Sequence, residues 1–253
     1  MTDRRVDGLH SWPEWLTTTT YAHRGLHSPG VPENSLAAAK GAIARGLGIE
    51  CDIQRSADGV AMVFHDWELE RLTGQAGLVT GIEAAELEAL TLLGTDQYPI
   101  TLDRFLEHIA GQAPLLIEIK SMPAQSALSY DVIPTCEAVA DALKGYDGAA
   151  AVMSFDPRVP NWFTDHAPHI CRGLVGTDSL PNGFEAVWRS IDTIEQADAD
   201  FLAIDRRDLA FDEAVAWRAA GKPLLSWTIR TAEDREQASA MADALIAEGE
   251  ALA

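Results

Sequence analysis

The chain has 253 residues, of which 47% are hydrophobic, and a formal charge of −20 from 39 acidic and 19 basic residues. This length suits one large α/β barrel or two small domains with a sizeable core. The negative charge argues against nucleic acid and anionic membrane as partners, because binding either one requires a basic surface. A small anion can still bind where a local cation reverses the field.

Cysteine usage and hydropathy indicate where the protein resides. Three widely spaced cysteines, Cys51, Cys136 and Cys171, favour buried reduced thiols over a disulfide framework or a zinc site. No apolar run reaches the roughly 18 residues of a membrane helix, and the N-terminus lacks the apolar core of a signal peptide. We therefore expect a cytoplasmic protein without stable membrane association, and the sequence leaves its oligomeric state open.

The chain begins with a polar, irregular arm that Trp12 and Trp15 are expected to pin to the body. A short strand at Tyr21 then runs into a glycine, and a loop rich in proline and glycine follows. Asn34 or Ser35 is expected to cap the next helix. The helical spacing is carried by Leu36, Ala39, Ile43 and Leu47, with Gly46 at the helix end.

Residues 48–66 carry the strongest chemical signal of the chain. Glu50 and Asp52 lie two apart in an apolar run, so a strand would point both carboxylates to one face. Burying two such groups requires a shared proton, a basic partner or a bound cation. The turn Asp58-Gly59 and a second apolar run then lead to His65-Asp66. An imidazole near paired carboxylates is a working hydrolytic set, although a polar strand edge with incidental charges is the plainer alternative.

Strands and helices alternate through the rest of the chain. The segment 67–100 is interpreted as a small insertion rather than a separate domain, and Thr101 as the cap of a helix. Further strands are predicted at 115–120, 149–155, 172–176, 201–205, 224–229 and 241–249. Further helices are predicted at 131–144, 183–196 and 211–220 and from Thr231 onward.

This alternation predicts a (β/α)8 TIM barrel forming a single domain over residues 1–253, with the insertion after the third strand. Nine strand candidates are one too many, so one strand is a hairpin partner or a cap. The turn Asp58-Gly59 is too short for a parallel crossover, which leaves the arrangement of that pair open. A doubly wound open sheet is the second alternative, weakened because no GxGxxG follows the first strand.

Polar residues collect at the predicted strand ends, where a barrel places its chemistry. Each one alone is easily explained as a structural group or a surface ion pair. Together they are harder to explain by chance: His23 and Arg24 end the first strand, Glu50 and Asp52 lie on the second, His65 ends the third, and Glu118 and Lys120 lie on the fourth.

A series of short motifs in this order resembles the glycerophosphodiester phosphodiesterase family over about residues 20–249. The motifs are HRG (23–25), PENS (32–35), ECD (50–52), DG (58–59), FHD (64–66), LERLTG (69–74), IEIK (117–120), SF (154–155) and WTI (227–229). The family usually has Thr at Ser35, Asn at Arg230 and Thr-Asp at Ala247-Glu248. These departures bear on substrate choice more than on the chemistry.

The resemblance implies a TIM barrel that binds one divalent metal through Glu50, Asp52 and Glu118. Three carboxylates without a cysteine cluster suit a hard cation, Mg²⁺ or Ca²⁺. It also implies that His23 and His65 are the general acid–base pair.

By the same resemblance, Arg24 and Lys120 bind the phosphate of a small-molecule phosphodiester. Trp227 either lines the part of the site that binds the glycerol group or is a core tryptophan on a strand. His27 lies in the loop near the site and is a candidate for supporting it.

The implied reaction is hydrolysis of a glycerophosphodiester to glycerol 3-phosphate and an alcohol. Which histidine is the acid, and whether water or a substrate hydroxyl is the nucleophile, stay open. A phosphodiesterase acting on lysophospholipids and a metal-binding barrel without catalysis are the alternatives. The first would need an apolar entry, and the presence of both His23 and His65 argues against the second.

Overall fold

The computed structural model describes residues 12–122, 130–178 and 190–253. The strands in these residues are β1 (Tyr21–Ala22), β2 (Gly48–Arg55), β3 (Ala61–Val63), β4 (Ile100–Thr101), β5 (Leu115–Ile119), β6 (Ala150–Ser154), β7 (Cys171–Gly176), β8 (Phe201–Asp205), β9 (Leu224–Ile229) and β10 (Ala244–Ala247). The helices are α1 (Glu14–Thr18), α2 (Leu36–Ala44), α3 (Glu70–Thr73), α4 (Ala84–Glu88), α5 (Leu102–Ile109), α6 (Ile133–Ala142), α7 (Arg158–His166), α8 (Ile191–Ala197), α9 (Asp212–Ala219) and α10 (Ala232–Met241).

Eight parallel strands close into a (β/α)8 TIM barrel, as the alternation predicts. The order around the barrel is β1, β10, β9, β8, β7, β6, β5, β2, and the pairing of β1 with β2 completes the ring. An open doubly wound sheet is therefore excluded. Because all eight strands are parallel, their carboxyl ends meet at one mouth.

The barrel interior is apolar toward its amino-terminal end. It contains Tyr21, Leu116, Phe201 and Leu225, packed together with Leu16 of α1. Gly173 is required there, because a Cβ at this position would lie 2.3 Å from the Phe201 ring. A second, larger core joins the outer faces of the strands to the surrounding helices.

Inward-facing positions of two neighbouring strands carry charge. On β5, Glu118 follows the apolar Leu116 on the same face, and on β2, Glu50 and Asp52 occupy inward-facing positions. Side chains two apart on a strand share a face. These carboxylates therefore project into the barrel interior, directly above the apolar layer. The fold thus collects charge at the mouth.

The third strand is not a barrel strand but the hairpin partner that the strand count left open, so His65 follows a strand that lies outside the ring. β3 pairs antiparallel with β2, and β4 pairs antiparallel with β3, so both lie outside the ring. The Asp58-Gly59 turn joins β2 and β3 as a hairpin, with Gly59 at φ 90°. The hairpin reverses the chain, and the Phe64 N–H continues the antiparallel ladder just past β3 by donating to the Asp52 carbonyl at 2.9 Å. This return brings His65 to the mouth.

The inserted segment has a small core of its own. Met62 and Phe64 pack against Leu69, Val79 and Leu87. A 3-10 turn at Val79–Gly81 and the short helices α3 and α4 lie within this segment. Whether the whole chain is one domain stays a prediction.

Three predicted helix caps are present. The Ser35 Oγ accepts from Ala38 N at 3.1 Å, the Thr101 Oγ1 accepts from Arg104 N at 3.4 Å, and Thr231 forms a reciprocal capping box with Asp234. The predicted arm contact is also present, since the Trp12 indole donates to the Gly221 carbonyl at 3.3 Å. The three cysteines are buried and free, as predicted.

Most predicted elements agree with the structure to within two residues at each end, and two differ more. The final strand is Ala244–Ala247 rather than 241–249, because α10 extends to Met241 and a 3-10 turn begins at Gly249. The described part of the helix predicted at 183–196 is Ile191–Ala197, and its earlier portion lies outside the described residues.

Candidate active site

Three carboxylates meet inside the barrel mouth. Asp52 of β2 pairs in register with Glu118 of β5, and Glu50 lies two residues before Asp52 on the same face. Oxygen atoms of Glu50, Asp52 and Glu118 all lie within 4.8 Å of one another, and all three residues are buried. The backbone register thus produces a cluster of acidic oxygens.

Two basic side chains balance part of this charge. Lys120 Nζ lies 2.7 Å from Asp52 Oδ1 and also contacts Glu118 Oε1. Arg24 Nε lies 3.4 Å from Asp52 Oδ2. Burial alone would raise the pKa of Asp52, but Lys120, His65 and Arg24 outweigh it and hold that pKa well below its ordinary value. Asp52 is therefore ionised.

The negative charge of Glu50 is compensated much less than that of Asp52. Burial raises the pKa of Glu50 well above its ordinary value, and repulsion from Asp52 and Glu118 raises it further. Its hydrogen bond from the Arg24 backbone N–H, at 2.9 Å, offsets only part of this. The cluster therefore carries a charge that calls for a proton or a cation, and its oxygen-only donors fit a hard divalent cation.

The HRG and PENS motifs hold this cluster with left-handed backbone. Arg24 and Asn34 both have φ of 54°, a conformation uncommon for residues other than glycine. In this conformation the Arg24 N–H reaches Glu50. The Asn34 amide donates to Asp52 Oδ2 at 2.8 Å, and its carbonyl accepts from the Asp52 N–H at 3.1 Å. The strain is local to groups that fix the carboxylates.

His23 follows β1 directly and is held by Glu248, which follows β10. Its Nδ1 lies 2.5 Å from Glu248 Oε2. His27 Nε2 lies 3.4 Å from the same oxygen, which places His27 beside the site as expected. Burial lowers the pKa of His23 more than its bond to Glu248 raises it, and Arg24 lowers it further. The imidazole is therefore neutral near pH 7.

His65 has a matching carboxylate partner in the next residue. Its Nδ1 lies 2.7 Å from Asp66 Oδ1, and the Gln54 side chain donates to the His65 carbonyl at 3.0 Å. Arg71, from the inserted segment, donates to both oxygens of Asp66 and of Glu33. Glu33 in turn accepts from Arg24 at 2.7 Å, so a continuous ionic chain links His65 to Arg24.

An aromatic pair lies farther along the ring of strands. The rings of Phe155 and Trp227 meet edge to face with centroids 5.4 Å apart. The Trp227 indole donates to the Ala203 carbonyl at 2.9 Å, which fixes the ring on β9. Phe155 is partly exposed beside it.

The structure thus gathers the predicted carboxylates Glu50, Asp52 and Glu118 with the predicted bases Arg24 and Lys120. Both predicted histidines lie near enough to influence Asp52 or to be influenced by it. The mouth of this barrel is consistent with an anion-handling, metal-binding hydrolytic site. The model of the glycerophosphoryl diester phosphodiesterase family matches residues 23–248.

The chain belongs to this family. It resembles a glycerophosphodiester phosphodiesterase of Caldanaerobacter subterraneus subsp. tengcongensis, with 41% identity over 76 residues, covering 30% of this chain and 31% of the relative. An uncharacterized protein of Bacillus subtilis is 31% identical over 173 residues, covering 64% of this chain and 68% of that protein. The alignments with the first curated relatives span less than a third of those relatives' lengths.

The family's fold is also found among solved structures. A phosphodiesterase of Oleispira antarctica, solved in complex with the product sn-glycerol-3-phosphate, superposes with a TM-score of 0.74. The two chains are 26% identical, and the match covers 90% of this chain and 92% of that one. Within the described residues, no helix has the length and apolar character needed to cross a membrane.

The sequence did not assign roles to several residues that this family member places around the site. Asn34, Glu33, Asp66 and Arg71 all lie within motifs that carried the family resemblance, so their positions were signalled but their contacts were not. Glu248 was noted only as a departure from the family pattern. No pattern in the sequence indicates that residues so far apart in the chain contact each other. β1 lies beside β10 because the barrel closes.

Proposed function

We propose that this protein hydrolyses glycerophosphodiesters to glycerol 3-phosphate and an alcohol. The observation that carries the proposal is the buried three-carboxylate cluster near two histidines, each bound to its own carboxylate, in a chain of this family. The product held by the Oleispira antarctica phosphodiesterase supports the same substrate class. The expected cytoplasmic location stays a prediction.

Glu50, Asp52 and Glu118 would hold one divalent cation, Mg²⁺ or Ca²⁺. Their buried oxygens lie close together, and the unbalanced charge on Glu50 favours a cation there. When bound, such an ion supplies positive charge that offsets the negative charge growing on the phosphoryl oxygens. Lys120 helps to hold the pKa of Asp52 well below its ordinary value, so this carboxylate remains available as a ligand, and Lys120 also contacts Glu118.

Arg24 and Lys120 would also face the phosphate. Both are held by carboxylates on one side, which orders them before substrate binds. Arg24 offers a planar fork of N–H donors and Lys120 a point charge. Together with a bound divalent cation they would offset the acidic groups of the mouth, and this local positive charge would admit an anionic diester.

His23 and His65 would transfer the protons. Each ring has its Nδ1 against a carboxylate, which leaves Nε2 free to face the reacting atoms. The lowered pKa of His23 suits a general base that accepts the proton of the nucleophile. His65 then donates a proton to the oxygen of the leaving alcohol. The assignment holds whether the nucleophile is water or a substrate hydroxyl.

Turnover of a panel of soluble glycerophosphodiesters tests the proposal. Glycerophosphocholine and glycerophosphoethanolamine are assayed beside lysophosphatidylcholine with Mg²⁺, Ca²⁺ and Mn²⁺. Release of the headgroup alcohol is the readout common to all three, and release of glycerol 3-phosphate confirms cleavage of the two soluble diesters. We expect the soluble diesters to be hydrolysed faster than the lysophospholipid. Preference for the lysophospholipid, or metal binding without turnover of any diester, would overturn the proposed function.

The variant His65→Ala tests the role of this histidine in the same assay. We expect loss of turnover by at least about 100-fold, because a general acid contributes on this order. The thermal unfolding midpoint should stay close to that of the unmodified protein, since His65 is partly exposed and lies outside the barrel strands. Unchanged turnover would remove His65 from the proposed mechanism.

A further inference from the structure

Two departures from the family pattern contact each other in this structure. Arg230 stands where the family usually has Asn, and Glu248 stands at the family's Asp position. Arg230 follows β9 and Glu248 follows the neighbouring β10. The Arg230 Nε donates to Glu248 Oε1 at 2.7 Å. The two departures therefore form one ion pair at the barrel mouth.

The two oxygens of Glu248 face different partners. Oε1 takes the bond from Arg230, whereas Oε2 lies 2.5 Å from His23 Nδ1 and 3.4 Å from His27 Nε2. Arg230 is 59% exposed and Glu248 is 20% exposed. The ion pair thus lies at the solvent side of the carboxylate, with His23 on the inner side.

A glutamate at this position needs more restraint than an aspartate. The backbone of Glu248 is fixed, since its N–H donates to the Ile229 carbonyl at 2.9 Å. Its side chain has one more rotatable bond than Asp, and ordering that bond costs conformational entropy. A guanidinium bound to the outer oxygen restricts the carboxylate and leaves the inner oxygen directed at His23. An Asn at position 230 has a shorter side chain without this charge.

We propose that Arg230 and Glu248 are a compensating pair of positioning residues that orient His23. Glu248 fixes the His23 ring through Nδ1, and Arg230 fixes Glu248. Each residue serves this purpose only in the presence of the other, so the pair replaces an Asn–Asp arrangement as a unit. The inference rests on the proposed function for its kinetic test but not for its spectroscopic one.

A double-mutant cycle tests the coupling. The variants are Arg230→Asn, Glu248→Asp and the two combined, which restores the usual family residues. We expect each single variant to lose about tenfold or more in kcat with KM changed less than about twofold. The combined variant should recover to within about threefold of the unmodified protein. Losses that multiply in the combined variant would overturn the proposal.

Arg218→Asn is the matched control. Arg218 also pairs with a carboxylate, donating from Nε to Asp243 Oδ1 at 2.8 Å, and it is 37% exposed. Asp243 precedes β10 and therefore lies at the opposite end of the strand that Glu248 follows. We expect kcat to stay unchanged in this variant. A change in KM rather than kcat for Arg230→Asn would mean that Arg230 contacts substrate directly and would also overturn the positioning role.

Ring-nitrogen NMR of the histidines tests the same inference without turnover. The His23 signals are assigned by their loss in a His23→Gln variant. We expect a neutral His23 protonated on Nδ1 in the unmodified protein, a mixture of tautomers in each single variant and a single tautomer again in the combined variant. Identical spectra throughout would overturn the pair. Absence of diester turnover in the unmodified protein would instead defeat the proposed function and leave this test intact.

Discussion

At the scale of single residues, two neighbouring carboxylates are held in opposite charge environments. Asp52 forms ion pairs with Lys120 and Arg24 and accepts a hydrogen bond from the Asn34 amide. The Glu50 side chain accepts a hydrogen bond from the Arg24 backbone N–H. The sequence showed that the two side chains share a face and need a partner. It did not show which carboxylate forms the ion pairs with Arg24 and Lys120, because these two residues reach the cluster from strands that are far apart in the chain.

Glu50→Gln is expected to separate metal binding from folding. Burial and repulsion from Asp52 and Glu118 disfavour the charged form of Glu50, and Gln is neutral at any pH, so the metal-free variant should unfold at the same temperature as the unmodified protein or higher. The rise in unfolding temperature on adding Mg²⁺ or Ca²⁺ should shrink, because a ligand is lost. Thermal melts of both proteins with and without metal measure this. A destabilised metal-free variant with a full metal response would contradict the ligand role.

Asp66→Asn is expected to lower kcat by about 100-fold with little change in KM. The substitution keeps the shape of the residue but removes the charge that faces His65 Nδ1 and Arg71. Asp103→Asn, an exposed change at the start of α5, is the matched control and should leave kcat unchanged. Steady-state kinetics on a soluble diester measure both variants, and equal kcat values in the two would show that Asp66 does not position His65.

At the scale of elements, the sequence predicted local structure better than pairing. Caps at Ser35, Thr101 and Thr231 depend on one turn of helix each, so short-range chemistry sufficed. The pairing of β3 depends on direction, which an apolar run does not reveal. The Asp58-Gly59 turn excluded a parallel crossover but left the alternatives open, and the structure resolves them as an antiparallel hairpin that returns His65 to the mouth.

The same Asp–Arg contact occurs after β6 and at the end of β8. Asp205 accepts from the Arg207 backbone and guanidinium, as Asp156 does from Arg158. Burial alone would raise the pKa of Asp205, but the bonds from Arg207 outweigh it and lower that pKa. The resulting stability is present above the ordinary Asp pKa and is lost as pH falls through the lowered one.

Asp205→Asn should therefore lower the free energy of unfolding by about 1–3 kcal/mol at pH 7. The difference from the unmodified protein should shrink below about pH 4, where the unfolded-state carboxyl is protonated and the lowered pKa is approached. Urea denaturation at both pH values measures this. A difference that is constant with pH would show that the charge of Asp205 does not contribute.

At the scale of the whole molecule, the barrel explains why the site residues are scattered in sequence. Closure of β1 against both β2 and β10 brings the first and last strands together, so His23 meets Glu248. The strand–helix alternation predicted the barrel, and the family motifs predicted its mouth. The contacts around His23 depend on closure itself, and no local pattern in the chain specifies them.

The central claim about the site is that Glu50, Asp52 and Glu118 bind one divalent cation that is required for turnover. The most direct test removes metal with a chelator and titrates Mg²⁺ or Ca²⁺ back while diester hydrolysis is followed in the unmodified protein and in Glu118→Ala. We predict that chelation abolishes hydrolysis, that metal restores it, and that Glu118→Ala requires at least about tenfold more metal. Hydrolysis that survives chelation, or equal metal requirements in the two proteins, would contradict the claim.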